Sequence, residues 1–205
     1  NIRIMKIGPK YKIARRLGAP IFEKTQTPKY ALSLARKERS DKSRGKPKSE
    51  LGRELIEKQK TRFTYGLGEK QFRTYVEKAL RSPDPVSKLF LILESRLDNV
   101  LFRGGFSKSR AQARQVAGHG HSTVNGKRVT VPSILLSKGD KVSIRANSSG
   151  SPLFGEIEER MKTLAVPAWL KVVPETKSLT VEGAPVYVPQ EHVFDLRTVI
   201  EFYNR

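Results

Sequence analysis

Apolar and polar positions in the middle of the chain predict two short helices followed by a hairpin. The first helix carries an apolar stripe at i, i+3 and i+4, formed by Leu97, Val100 and Leu101. Gly104 and Gly105 end this helix, because glycine enters left-handed backbone at low cost. A second helix starts near Ser107–Ser109, whose hydroxyls can cap the first turn, and turns Ala113 and Val116 inward.

The segment after these helices predicts a β-hairpin with a two-residue turn. Asn125 and Gly126 form the turn pair, because both tolerate the positive φ angles that such turns require. The flanking strand positions are Thr123, Val124, Val129 and Val131. We expect Lys127 and Arg128 to lie at the tip of this hairpin.

The rest of the chain is mostly helical by the same reading. Helices are predicted over residues 49–65, 69–81, 86–94 and 156–165, with a strand over 141–145 and a second hairpin over 180–188. Ser49 caps the first of these helices and Gly66 ends it, and Leu51, Leu55 and Ile56 form its apolar side. Phe72 and Tyr75 belong to the second of these helices. We expect their rings to pack in the protein core rather than to stack on the bases of a nucleic acid.

The last residues predict an amphipathic terminal helix. Its apolar positions follow the spacing i, i+3, i+4 and i+7, and they are Leu196, Val199, Ile200 and Tyr203. Such a helix needs an apolar surface to cover, and the helices of the first half of the chain are the simplest one.

The charge of the chain indicates a polyanionic partner. Forty Lys and Arg stand against twenty Asp and Glu, a formal charge of +20 with an isoelectric point near 10.3. Arg110 and Arg114 are four residues apart and share a helix face, which suits adjacent phosphates of a nucleic-acid backbone.

The longest purely apolar run, Leu89–Leu93, is too short to span a membrane, so we expect no membrane partner.

The N-terminal fifty residues are the most basic part. They hold fifteen Lys or Arg and four Asp or Glu, which leaves +11, with few large apolar residues. We therefore expect an extended arm that becomes ordered on a polyanion.

The chain has no cysteine, and its N-terminus does not resemble a secretion leader, so we expect a reducing, cytoplasmic compartment, with an organellar one as the alternative.

Several motifs together resemble bacterial-type ribosomal protein four of the small subunit. In the first helices the matching residues are Glu57-Lys58-Gln59-Lys60, Arg62, Tyr65-Gly66, Glu69 and Gln71-Phe72-Arg73. In the central module they are Arg96-Leu97-Asp98-Asn99, Ser109-Arg110, Ala113-Arg114-Gln115, Gly120-His121 and Val124-Asn125-Gly126. At the two ends they are Ile7-Gly8-Pro9-Lys10, Arg15-Arg16 and Val199-Ile200-Glu201-Phe202-Tyr203. The resemblance covers nearly the whole chain.

This resemblance implies an α+β fold. A helical domain, completed by the C-terminal helix, would hold an inserted RNA-binding domain of helices plus a small antiparallel sheet. The implied divisions are an extended basic arm at 1–48, the helical domain at 49–95 plus 195–205, and the inserted domain at 96–194, with its core motif at 96–145.

The resemblance also implies a structural role in the small ribosomal subunit. Members of the family join early in assembly and bind the 5′ domain of small-subunit, 16S-type rRNA at a multi-helix junction. They then lie beside ribosomal proteins three and five, near the channel through which mRNA enters, and bear on decoding accuracy. A free-standing RNA-binding regulator or RNA-modification factor with the same module is the alternative.

Candidate RNA contacts follow from charge and from matched position. By matched position, rRNA would be held by Lys10, Lys12, Arg15, Arg16, Arg110, Arg114, Lys127 and Arg128. The first helices add the charged residues Lys58, Lys60, Arg62 and Arg73. The central module adds Arg96, Arg103, Lys108, Ser109, Gln115, His119, His121 and Asn125. On the mRNA side we expect Arg44, Lys46 and Lys48.

No enzymatic, metal or cofactor site is predicted. The context of Asp98 resembles that of the catalytic aspartate of pseudouridine synthases, but the chain has no room for their catalytic domain, so we expect Asp98 to cap a helix or pair with a nearby arginine. His119 and His121 lack acidic or cysteine neighbours, which favours RNA contacts or turn residues over metal ligands. The glycines near 104 and 118 lack the Gly-Lys-Ser/Thr ending of a phosphate-binding loop.

The chain departs from the family at one place. Many members carry a zinc cluster of cysteines near the N-terminus, whereas the matching stretch at 25–30 reads Thr-Gln-Thr-Pro-Lys-Tyr. A cysteine zinc site is therefore excluded there, and the resemblance does not say what orders the segment.

Overall fold

A computed structural model of the chain describes residues 7–40 and 49–205, which fall into two compact units. One unit comprises residues 90–186; the other comprises the described residues up to Leu89 together with residues 187–205. Helices and one antiparallel sheet occur together, so the predicted α+β class is confirmed. The domain boundaries expected from the sequence stay predictions.

The described residues contain nine α-helices and five strands. The helices are α1 (Lys10–Leu17), α2 (Pro28–Ser40), α3 (Glu50–Thr64), α4 (Glu69–Leu80), α5 (Pro85–Glu94), α6 (Leu97–Arg103), α7 (Arg110–Gly118), α8 (Ile157–Thr163) and α9 (Leu196–Asn204). The strands are β1 (Ser122–Val124), β2 (Lys127–Val129), β3 (Lys141–Ile144), β4 (Leu170–Val173) and β5 (Ser178–Val181). They form one sheet in the order β2-β1-β3-β5-β4.

The N-terminal segment is helical, so the prediction of an extended arm is wrong for residues 7–40. Helix α1 ends at Gly18, where φ is 69°. Its buried Ala14 packs with Phe22 and Tyr30, and Phe63 of α3 covers the same cluster. A few aromatic residues scattered among the charges are enough for a small core, because folding brings them together from distant positions.

The stretch that matches the family's zinc cluster is held by hydrogen bonds and packing. Thr25 Oγ1 donates to the carbonyl oxygen of Phe22 at 2.6 Å and accepts from the Phe22 amide at 3.1 Å. The Thr25 side chain is buried, and the Tyr30 ring lies 5.1 Å from that of Tyr11. These contacts tie Thr25 and Tyr30, at the two ends of the stretch, to the residues around them.

Helix caps confirm two of the expected helix starts. Ser49 Oγ accepts a hydrogen bond from the Gly52 amide at 3.2 Å, and Ser109 Oγ accepts one from the Gln112 amide at 3.0 Å. Each of these side chains satisfies an amide that has no partner inside its own helix.

The buried face of α3 is polar, which the apolar pattern did not predict. Leu51 and Leu55, expected on the apolar side, are 53% and 38% exposed. The buried positions of α3 recur at i, i+4 and i+7, and they are Glu54, Lys58 and Thr61. Helix α9 packs against α3, and its flanking Arg205 reaches Glu54 at 2.9 Å. The polar stripe can be buried because each member has a partner: Arg205 for Glu54, Glu69 of α4 for Lys58, and a carbonyl oxygen of α3 for the Thr61 hydroxyl.

Two further expectations, for the cores of α4 and α9, are confirmed. Phe72 is fully buried and Tyr75 nearly so, as expected for core residues. Helix α9 covers α3 and α4, and its buried residues are Leu196, Val199 and Ile200. The ring of Tyr203 lies 6.3 Å from that of Phe72.

The other unit has an apolar core between helices and sheet. Helices α6 and α7 pack together, and residues from α6, α7, α8 and the sheet form one buried cluster. Gly104 is needed for space rather than for φ, because a Cβ there would lie 2.3 Å from Leu179 Cδ2. The adjacent Gly105 supplies the positive φ, at 81°.

Two details of the sheet correct the sequence prediction. Asn125 and Gly126 form the turn, with φ of 50° and 78°, and Lys127 closes it opposite Val124, as expected at the tip, but Arg128 lies inside β2. The hairpin expected over 180–188 is wrong, because β5 ends at Val181 and pairs with the preceding strand β4. Local periodicity cannot tell whether a strand pairs with the chain before it or after it.

Candidate nucleic-acid interface

One buried carboxylate in α6 holds two arginines. Arg96 donates from Nε to Asp98 Oδ1 at 2.9 Å and from Nη2 to Oδ2 at 2.7 Å. Arg114 of α7 donates from Nε to Asp98 Oδ2 at 2.8 Å, and its Nη2 lies 2.7 Å from the same oxygen. Such charge-assisted bonds fix the planes of both guanidinium groups. The expectation that Asp98 pairs with a nearby arginine is confirmed.

A second buried carboxylate organises the neighbouring arginines. Glu94, at the end of α5, accepts from Arg103 at 2.9 and 3.1 Å and from Asn99 Nδ2 at 2.9 Å. Asn99 Oδ1 in turn accepts from Arg110 Nε at 2.8 Å. The Arg110 guanidinium also lies over the Phe102 ring, 4.5 Å from its centroid.

These arginines differ in how they could meet a ligand. The Arg96 side chain is only 2% exposed, whereas that of Arg103 is 28% exposed. Arg110 and Arg114 lie one turn apart on α7, as the spacing predicted, and both are partly exposed. Arg96 is therefore an internal ion-pair partner, whereas the arginines of α7 are partly exposed groups with fixed geometry.

The hairpin brings another cation beside the end of α7. Arg128 is exposed, and its Nη2 donates to the carbonyl oxygen of His119 at 3.3 Å. Its guanidinium lies against Gly120, where φ is 71° and a Cβ would come within 2.4 Å of Arg128 Nε. Lys127 is exposed on the same strand. His121 Nδ1 lies 3.0 Å from Ser148 Oγ, so this ring is oriented from inside the unit.

The remaining candidates of this unit have different surroundings. Asn125 supports its own turn, since Oδ1 accepts from the Lys141 amide at 2.9 Å and Nδ2 donates to Asp140 at 2.8 Å. Lys108 is exposed and pairs with Glu156 at 2.7 Å, and its hydrogen bond and charge lower the pKa of the Glu156 carboxyl. Ser109 caps α7, and the exposed candidates on that helix and the loop after it are Gln115 and His119.

In α3 and α4, each candidate cation pairs with an acidic residue of the same unit. Lys58 is buried against Glu69 and lies 4.9 Å from the Phe202 ring centroid, and Arg62 lies 3.4 Å from the same carboxylate. Lys60 pairs with Glu57 at 2.7 Å and Arg73 with Glu77 at 2.9 Å. Of the four, Arg73 is the most exposed. The matched signature in α3 thus joins α3 to α4 and α9.

The N-terminal candidates lie on α1. Lys12 and Arg16 are exposed, Arg15 Nε donates to the Tyr11 carbonyl oxygen at 3.3 Å, and Lys10 Nζ lies 5.7 Å from the Phe22 ring centroid. The expected mRNA-side residues Arg44, Lys46 and Lys48 lie outside the described residues.

Sequence reasoning did not single out Glu94 and Asn99 as organisers of the arginines. A signal for them was present, because a cluster of polar residues interrupts the otherwise apolar stretch 89–101. Polar groups in such a stretch are buried, and buried polar groups have hydrogen-bond partners.

Comparison with known families defines the class of protein. Residues 5–94 match the family described as "Ribosomal protein S4/S9 N-terminal domain", and residues 95–142 match the "S4 domain". With arginines on α7 and a basic hairpin in the matched region, the fold and site define an RNA-binding protein of the S4-domain class. Within the described residues, none of the helices has the length and apolar character to cross a membrane.

Individual relatives identify the family. The chain is 45% identical over 158 residues to small ribosomal subunit protein uS4 of Corynebacterium kroppenstedtii, covering 77% of this chain and 79% of that protein. It is 36% identical to uS4 of Corynebacterium urealyticum over 93% and 99% of the two chains. It is 38% identical to uS4 of Roseiflexus castenholzii over 97% and 98%. The chain belongs to the uS4 family, whose members are structural proteins and not enzymes.

Proposed function

We propose that this protein is a structural constituent of the small ribosomal subunit that binds 16S-type rRNA through α7 and the adjoining hairpin. The observation that carries the proposal is the pair Arg110 and Arg114, which lie one turn apart with each Nε anchored on α6. Arg128 and Lys127 extend the basic surface along β2. The N-terminal cations Lys12 and Arg16 are a further proposed contact.

The proposed mechanism is RNA binding, with no catalysed reaction. Cations that neutralise phosphates release counterions from RNA, so affinity falls steeply as salt rises. Such contacts position the protein without reading sequence. The deep major groove of A-form RNA hides base edges, so specificity comes from the shape of a folded junction.

The finer role proposed is that of an early assembly protein. It binds the 5′ domain of the rRNA at a multi-helix junction, in the cytoplasm, and later lies near the channel through which mRNA enters, beside ribosomal proteins three and five. There it contributes to decoding accuracy. The support for these details is membership of the uS4 family and the formal charge of +20.

The test is a titration of the full chain against the rRNA 5′ domain, with excess random duplex RNA, between about 0.05 and 0.2 M salt. We expect one-to-one binding that survives where duplex binding is lost. Arg110→Ala plus Arg114→Ala should weaken specific binding by about 1 kcal/mol or more. The control, Lys162→Ala plus Lys171→Ala, removes the same charge from exposed positions of the same unit that are not candidate contacts.

Two outcomes would contradict the proposal. If both RNAs lose binding in parallel as salt rises, the protein is a generic polyanion binder. If the protein is present at far less than one copy per small subunit and dissociates from it at moderate salt, the protein is better explained as a free-standing regulator or RNA-modification factor.

A further inference from the structure

We infer that Asp98 and Asn99 are positioning residues, which hold the guanidinium groups of Arg114 and Arg110 in the orientation that binds phosphate. The inference rests on the proposed function and adds to it two residues that do not themselves meet RNA. Both are buried, with 3% and 2% of their surface exposed, so neither can be an RNA contact.

The geometry is that of two parallel anchors. Asp98 and Asn99 are consecutive on α6, and each presents a side-chain oxygen to the Nε of one arginine on α7, at 2.8 Å in both cases. Helix α6 is itself fixed, because Leu97, Val100 and Leu101 are fully buried in the core. The spacing of the two anchored arginines is therefore set by α6 as well as by their own helix.

Each anchor is held in turn by a further partner. Asp98 is fixed by the bidentate contact with buried Arg96, and Asn99 by donation from Nδ2 to the carboxylate and the carbonyl oxygen of Glu94, at 2.9 and 3.1 Å. The Asn99 orientation follows from these contacts, since its amide must donate to Glu94 and accept from Arg110. Arginine has a long side chain that loses much rotamer freedom on binding. Because Nε is already anchored in the free protein, less of this freedom remains to be lost when RNA binds.

A positioning role and simple electrostatics predict opposite changes in RNA affinity for one variant. Asp98→Asn removes a negative charge near the RNA surface, which by counterion release alone should tighten RNA binding. If Asp98 positions Arg114, the same change should weaken specific binding to the rRNA 5′ domain, by about tenfold. Glu182→Gln is the matched control, because it removes one negative charge from an exposed pair with Lys171 in the same unit. We expect the control to bind as tightly as the wild type, or more tightly.

Asp98 also partners buried Arg96, so its variant can lose the fold, and Asn99 provides a second test without a charge change. Asn99→Ala, checked for folding by circular dichroism, should weaken specific binding by about threefold to tenfold. In an Arg110→Ala background the same substitution should have no further effect on affinity. A merely structural role would instead give the same loss in both backgrounds. Asn99→Ser replaces the alanine variant if that one unfolds.

The outcomes separate this inference from the proposed function. If Arg110→Ala and Arg114→Ala bind like the wild type, the proposed function fails and the inference fails with it. If these variants weaken binding but folded Asn99→Ala does not, or if it weakens binding equally without Arg110, the positioning role is overturned. A folded Asp98→Asn that binds as tightly as Glu182→Gln overturns it as well.

Discussion

Arg96 and Asp98 form a bidentate ion pair that is almost entirely buried, with contacts of 2.9 and 2.7 Å and side-chain exposures of 2% and 4%. The same carboxylate also accepts from Arg114, which is 13% exposed. One acid thus joins an internal cation to a partly exposed cation. Because breaking a buried pair leaves a charge without its partner in a poorly solvated site, this cluster matters for both stability and binding.

Loss of Arg96 should destabilise the unit that contains it. For Arg96→Ala we expect the free energy of unfolding to fall by about 3 kcal/mol, the lower end of the range for broken buried pairs, because Arg114 still faces Asp98. The single tryptophan, Trp169, lies in the same unit, so its fluorescence during urea denaturation reports the change. Lys171→Ala breaks an exposed pair with Glu182 in the same unit and should cost no more than about 0.5 kcal/mol. Equal losses in the two variants would contradict the buried-pair argument.

A side chain at Gly120 should displace Arg128. Gly120→Ala puts a Cβ at positive φ, which costs about 1–2 kcal/mol of stability, and into the space of the Arg128 guanidinium. We expect affinity for the rRNA 5′ domain to fall as it does in Arg128→Ala, with no further loss when both changes are combined. Gly126→Ala has the same backbone strain at φ 78°, with nothing within 4 Å of the new Cβ. Should the two alanine variants lower affinity equally, the contact with Arg128 would be irrelevant to binding.

High pH should loosen the attachment of α9. Burial, and then the negative charge of Glu69, raise the pKa of the Tyr203 hydroxyl above its ordinary value of 10.0, and burial also raises that of Tyr187. A raised pKa means that the folded state favours the protonated form. This contribution is fully present below pH 10 and is lost as pH rises through the folded-state pKa.

The free energy of unfolding should therefore fall between about pH 10 and 12, and less steeply in Tyr203→Phe. Denaturation at a series of pH values gives the two slopes. The two proteins differ only in this hydroxyl, so the difference between the slopes isolates the tyrosine. Identical slopes would show that Tyr203 does not contribute.

The N-terminal helices should depend on their small aromatic cluster. Phe22→Ala removes a ring that packs with Ala14 and Tyr30 and meets Phe63 edge-on at 6.3 Å. We expect the opening free energy of α1 to fall by about 3 kcal/mol. Hydrogen exchange of peptides from residues 10–26 measures this, with α6 and α7 as the internal reference.

The matched control for that cluster is Leu32→Ala, because Leu32 is 63% exposed and should leave exchange unchanged. Faster exchange in α7 as well would point to general destabilisation rather than a local core.

The sequence by itself determined the local features of this protein. Ser49 was recognised as a cap, Ser107–Ser109 as the segment that caps α7, and Asn125-Gly126 as a turn, because each depends on the backbone needs of a few neighbouring residues. The spacing of Arg110 and Arg114 placed both on one helix face, since the period of an α-helix is fixed. Motif resemblance and net charge were enough to predict the family and the class of partner.

Only the tertiary structure decided which partner each residue meets. The polar stripe of α3 is buried because α9, more than 130 residues later in the chain, covers it, and no local pattern contains that information. Likewise β5 pairs with β4 rather than with the residues after it, and the N-terminal aromatic residues converge on Phe63. The basic residues were read as one class, yet Arg96 and Lys58 are internal partners of acids, whereas Arg128 is at the surface. Charge is a property of a residue, but its burial and its counter-ion are set by contacts between segments distant in sequence.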